Sequence, residues 1–120
     1  MNKKILIAED DKAISEVVTI ILEQEGFRTV FADKEETIYK ILKEQEPDLM
    51  LLDIWLGGSD GGKIAKTVKS NKQTKHIPVI MISANNETEK ITKEAGADDY
   101  LLKPFNIDDL LHIVRKHLKS

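Results

Sequence analysis

The run Leu49-Met50-Leu51-Leu52-Asp53 is apolar at four successive positions and then acidic. A strand with one wet face alternates apolar and polar residues. A strand apolar at every position is covered on both faces, as in a parallel sheet sandwiched between helices. Pro78-Val79-Ile80-Met81-Ile82 has the same character. Lys4 to Ala8, Arg28 to Ala32 and Tyr100-Leu101-Leu102 read as three further short strands. Helix-period segments lie between them. Ile14, Val17, Val18, Ile21 and Leu22 give the first helix its buried stripe, and Gly26 closes it. Asp33 followed by Glu36 resembles a capping box opening a second helix, with Ile38, Ile41 and Leu42 inward. Pro47 ends that helix. The glycine-rich run 57–62 leads, through a cap at Ser59-Asp60, into a third helix bearing Lys63, Ile64, Ala65 and Val68. Residues 87–95 form a fourth, with a weak apolar face of Ile91 and Ala95, stopped by Gly96. A fifth starts near Asn106 and buries Ile107, Leu110, Leu111, Val114 and Leu118.

Strands alternating with helices, joined by right-handed crossovers, predict a doubly wound α/β fold with a five-stranded parallel sheet flanked by five helices. The 120 residues suit one domain, 1–120, without repeats or linkers. With 41% hydrophobic and 32% charged residues the composition is that of a globular protein. A net charge of −3 leaves no basic excess for a nucleic-acid face. The absence of cysteine excludes disulfides and thiolate metal sites. The apolar run after the basic Lys3-Lys4 ends at Glu9, too soon for a signal peptide or membrane span, so the expected location is the cytoplasm. Asn86-Glu87-Thr88 matches a glycosylation acceptor but reads as a helix start. His76, His112 and His117 read as surface residues.

In doubly wound sheets the working residues sit just past the carboxyl ends of strands. Here these are Glu9, Asp10 and Asp11, then Asp53, then Ser83-Ala84, then Lys103-Pro104. Acids gathered at one edge repel one another, and a hard divalent cation with oxygen ligands relieves this. A carboxylate so neutralised can attack a phosphoryl group and form an acyl phosphate. Lys103 and the Ser83 hydroxyl can meet the charge on the phosphoryl oxygens. Asp11 suits a helix cap better than a ligand.

The pieces Ile5-Leu6-Ile7-Ala8-Glu9-Asp10-Asp11, Leu51-Leu52-Asp53, Ser83-Ala84 and Gly96-Ala97-Asp98-Asp99-Tyr100-Leu101-Leu102-Lys103-Pro104-Phe105 occur in order along nearly the whole chain. Together they resemble the receiver domain of two-component response regulators. The resemblance implies a flavodoxin-like fold of strand order 2-1-3-4-5. It implies Asp53 as phospho-acceptor and Mg²⁺ as cofactor, with Mn²⁺ as a substitute. The cation would be bound by Asp53, by Asp10 directly, by Glu9 through water and by the backbone carbonyl of Trp55. Ser83 and Lys103 would bind the phosphoryl group. Ser83 and Tyr100 would act as switch residues, altering partner binding on the face of helix 4, strand 5 and helix 5. The implied partners are a sensor histidine kinase or phosphotransfer protein, and a downstream protein or fused output domain. No turnover of a small substrate is implied beyond the domain's own phosphorylation and slow dephosphorylation. Lys119-Ser120 fits either a chain end or the start of a linker.

Three departures from the family pattern stand out. Proline is common four residues after the phospho-acceptor, where this chain has Gly57, and the run 57–62 is expected to be mobile. Trp55 is expected to crowd the mouth of the site and slow hydrolysis, with Asn85 near the same path. Asp98, Asp99 and Asp109 fit the charged dimer face of regulators with winged-helix output. Ile113, however, replaces the expected arginine, with Arg115 on another face, which puts that dimer in doubt. Gly57 with Gly62-Lys63 matches a P-loop, but Ile64 stands where the metal-binding hydroxyl belongs. An aspartate-nucleophile phosphatase needs a second Asp where Trp55 stands. A phosphorylation-independent pseudo-receiver would not need the full acid set.

Overall fold

The computed structural model describes residues 2–118. The expectation about Lys119-Ser120 lies outside them. Five parallel strands, β1 (Lys4–Ala8), β2 (Arg28–Ala32), β3 (Leu49–Asp53), β6 (Val79–Ser83) and β7 (Asp99–Leu102), form one sheet in the order β2-β1-β3-β6-β7. Between β3 and β6 a separate antiparallel hairpin, β4 (Trp55–Leu56) and β5 (Ser59–Asp60), was not anticipated. Counted along the main sheet, the order is the expected one. The helices are α1 (Lys12–Gln24), α2 (Glu35–Gln45), α3 (Gly61–Ser70), α4 (Thr88–Ala95) and α5 (Ile107–His117).

Because side chains alternate across a strand, the sheet divides the core in two. Leu6, Met50, Leu52 and Met81 pack with Ile38, Leu42, Ile64, Val68 and Ala95 from α2, α3 and α4. Ile5, Ile7, Leu49, Leu51, Ile80 and Ile82 pack with Val18, Leu22, Leu110 and Val114 from α1 and α5. All five β6 residues and the first four of β3 are buried, as their unbroken apolar runs require.

Helix entries follow local chemistry. The Asp11 side chain accepts from the Ile14 N–H, Asp60 from Gly62 and Asn106 from Asp109, so each satisfies a free first-turn donor. The Asp33–Glu36 capping box does not form. α2 starts a residue later than that pattern needs, with Lys34 at the cap and no side-chain bond. Val17 and Ile107 are exposed rather than buried, at 54% and 55%. Val17 lies at the margin of the α1 stripe, and Ile107 in the first turn of α5.

The run 57–62 is a hairpin and a helix start rather than an irregular loop. Gly57 and Gly58 have φ of +51° and +85°. Positive φ at both central positions is the signature of a tight two-residue hairpin turn, and glycine reaches it without a Cβ clash. Leu56 anchors the hairpin in the core with no exposed surface. Gly61 opens α3 against the Asp53–Ile54 backbone, where no side chain fits.

Candidate functional site

The strand order reverses between β1 and β3, since β1 leads out to β2 on one side and β3 to β6 and β7 on the other. That reversal opens a crevice beyond the strand ends. Ala8 lies level with Leu52, so Glu9 and Asp10 emerge beside Asp53. Asp53 is level with Ile82, and Ser83 follows. Lys103 leaves β7 with its N–H on the Ser83 carbonyl, 2.9 Å away.

Carboxylate oxygens of Glu9, Asp10 and Asp53 lie within 4.8 Å of one another. Lys103 reaches across β6, its Nζ 3.0 Å from Glu9 Oε1 and 3.3 Å from Asp53 Oδ2. Asp53 Oδ1 accepts from the Trp55 N–H at 3.2 Å. Asp10 Oδ2 accepts from the Gly57 N–H at 2.9 Å. Three carboxylates against one ammonium leave two negative charges uncompensated. Burial, then the bond to Asp53 and its charge, push the Glu9 carboxyl up to about 7, against the pull of Lys103 and the Asp11 amide. Burial alone would lower Lys103, but its bonds to Glu9 and the charges of both acids hold its ammonium above the ordinary value. Without a further cation, that upward shift favours the protonated form of Glu9 and so lessens the repulsion. A hard divalent cation would relieve it too, and an all-oxygen donor set suits Mg²⁺ or Mn²⁺ rather than a softer metal.

Ser83 is buried, and its Oγ accepts from the Asn85 N–H at 3.0 Å, which leaves the hydroxyl proton free to donate. Asn85 is more committed than the sequence implied. Its side-chain oxygen accepts from the Glu87 N–H at 2.7 Å, and its carbonyl from Thr88, which ties it to the start of α4. Tyr100 is half-buried on the α2–α4 side of the sheet, level with Met81, and by strand alternation on the same side as Ser83. Trp55 is 59% exposed and lines a groove of about 250 Å³ with Lys63, Lys66, Ile91 and Glu94.

Two acidic residues at the far edge have partners that were not read from the sequence. His117 is not a plain surface residue: it is half-buried, with Nε2 2.8 Å from Asp99 Oδ2, and Lys116 stands 3.3 Å from the same oxygen. Burial alone would raise the Asp99 carboxyl, but His117, the Tyr100 amide and Lys116 together hold it below its ordinary value. Asp98 is gripped by Lys69 and the Val79 N–H, each at 2.8 Å. Ile113, at the position where arginine was expected, is buried in the core. No helix among the described residues is long and apolar enough to cross a membrane.

Comparison with known proteins agrees with this geometry. The phosphate regulon transcriptional regulatory protein PhoB of Escherichia coli is 41% identical over 113 residues, covering 92% of this chain and 49% of that protein. The DNA-binding response regulator MtrA of Mycobacterium leprae is 33% identical over 121 residues, covering 99% and 52%. The chain thus spans about half the length of the curated relatives it matches. The receiver domain of NtrX from Brucella abortus superposes with a TM-score of 0.87 at 33% identity, covering 97% of this chain and 98% of that one. A CheY-like receiver domain protein from Methanospirillum hungatei superposes with a TM-score of 0.87 at 29% identity, covering 97% and 93%. The model of the response regulator receiver domain matches residues 5–115, and to that family, the signalling domain of two-component systems, this chain belongs.

Proposed function

We propose that residues 1–120 form a phosphorylation-dependent switch in which Asp53 accepts a phosphoryl group from a histidine kinase or phosphotransfer protein. The observation that carries this reading is the convergence of Glu9, Asp10, Asp53 and Lys103 at the crevice where the strand order reverses. A carboxylate oxygen of Asp53 attacks phosphorus, the bond from phosphorus to the donor's imidazole nitrogen breaks, and an acyl phosphate remains. Lys103 and the free Ser83 hydroxyl proton compensate charge on the phosphoryl oxygens. Glu9, Asp10, Asp53 and the Trp55 carbonyl would hold Mg²⁺, or Mn²⁺ in its place, and the ion supplies positive charge to the transferring group.

Switching follows from where the acceptor's neighbours lie. Ser83 and Tyr100 share the face of the sheet that carries α4. That helix buries Thr88, Thr92 and Ala95, a meagre apolar anchor that suits an element with two arrangements of similar energy. Ser83 drawn to the phosphoryl group and Tyr100 turned inward behind it would bias α4, altering partner binding on the α4–β7–α5 face. The output, a separate protein or a fused domain, is set by what binds there, and the working compartment is the cytoplasm.

Incubation with acetyl phosphate and Mg²⁺, followed by intact-mass measurement, tests the reading. A lasting gain of one phosphoryl group, absent in Asp53→Asn, is expected. Turnover without an adduct would show a phosphatase instead, and no reaction a pseudo-receiver.

A further inference from the structure

We infer that the backbone N–H of Gly57 is a positioning group for Asp10, fixing the carboxylate of this candidate metal ligand before any cation arrives. The inference rests on the reading that Glu9, Asp10 and Asp53 hold a divalent cation. Asp10 is exposed, and among its described contacts the side chain is held by one bond, Oδ2 to the Gly57 N–H at 2.9 Å. A carboxylate in water samples several rotamers, and ordering it on metal binding costs entropy. The amide removes that cost in advance. A carboxylate has lone pairs for about four partners, so the N–H on Oδ2 leaves room for a cation.

The donor exists because of the residue type. Proline, common in the family at this position, has no N–H and a φ locked near −65°. Gly57 has φ of +51°, and a Cβ there would come within 3.0 Å of the Asp33 carbonyl oxygen. The turn is thus wedged between Asp10, past β1, and Asp33, past β2. Leu56, fully buried, holds it there from below. The departure from proline adds a hydrogen bond to the ligand rather than merely loosening the loop.

Groups that orient metal ligands are worth about tenfold or more in metal affinity. The direct test replaces the Gly57 amide by an ester, using glycolic acid at that position, which deletes the donor and keeps the backbone freedom. Binding is read from the loss of the free-ion EPR signal of Mn²⁺, with Mg²⁺ as competitor. The expected result is a dissociation constant raised about tenfold by the ester. Gly57→Pro, which also lacks the donor, is expected to weaken binding at least as much. Gly58→Ala strains the same turn at φ of +85° but keeps the Gly57 donor, and is expected to bind close to the parent. Unchanged or tighter binding by the ester overturns the inference, as does equal weakening by Gly58→Ala. If the parent binds no Mn²⁺, or Asp10→Asn binds as well as the parent, the cation reading itself fails and this inference with it.

Discussion

Raising the pH from about 5 to about 8 without divalent cations should destabilise the chain through Glu9 and, over the same interval, improve its grip on Mg²⁺. In the fold the Glu9 carboxyl sits at about 7 against an ordinary 4.5. Between those values the folded chain keeps a proton that the unfolded chain has lost. The stabilisation is therefore fully present below the unfolded value and disappears as pH rises through the folded one. One proton difference gives a slope of at most about 1.4 kcal/mol per pH unit, and the whole interval amounts to about 3 kcal/mol as an upper bound. Glu9→Gln mimics the protonated acid and cannot lose the proton. Urea unfolding of parent and variant, followed by circular dichroism in the presence of a chelator, isolates Glu9 from the other carboxylates. The parent should lose stability relative to the variant as pH climbs, and the difference should level off above about 8. Added Mg²⁺ should reverse the loss in the parent by replacing the proton. Parallel pH profiles for the two proteins would refute the argument that Glu9 bears the site's unrelieved charge.

Other expectations follow from single features. Trp55→Asn should shorten the lifetime of phosphorylated Asp53, measured as adduct decay by intact mass; an unchanged or longer lifetime would rule out the indole as a barrier to water. Gly61→Ala should lower stability by about 2 kcal/mol, since overpacking costs about 1–3 kcal/mol. A Cβ there would lie 2.7 Å from the Ile54 carbonyl oxygen and closer still to that of Asp53. A urea midpoint equal to the parent's would contradict this. Phosphorylation should leave the chain monomeric by light scattering. Asp98 is already paired with Lys69, Asp99 with His117 and Lys116, and Ile113 is buried. A dimer abolished by substitutions at Asp98 and Asp99 would show those internal pairs to be exchangeable.

The sheet was legible because burial on both faces forces unbroken apolar runs, as in 49–52 and 79–82. The acids and lysine were legible because each sits immediately past such a run. The hairpin was missed although its signal was present. Gly57-Gly58 between two short segments is a tight-turn pattern, but Trp55-Leu56 and Ser59-Asp60 are too short to show alternation. The α2 entry was misread because Asp33 falls a residue short of capping. Nothing local links Asp10 to Gly57, or Asp99 to His117. Those partners meet only when separate strand–helix units pack on one sheet.

The division of the core by the sheet has a consequence for how such a domain diversifies. Met81, Ala95, Ile91 and Tyr100 lie on one side of the partition, and the whole interior of α1 and α5 lies on the other. Strands β1, β3 and β6 send side chains to both sides, so repacking either half bears on the register of Glu9, Asp53 and Lys103.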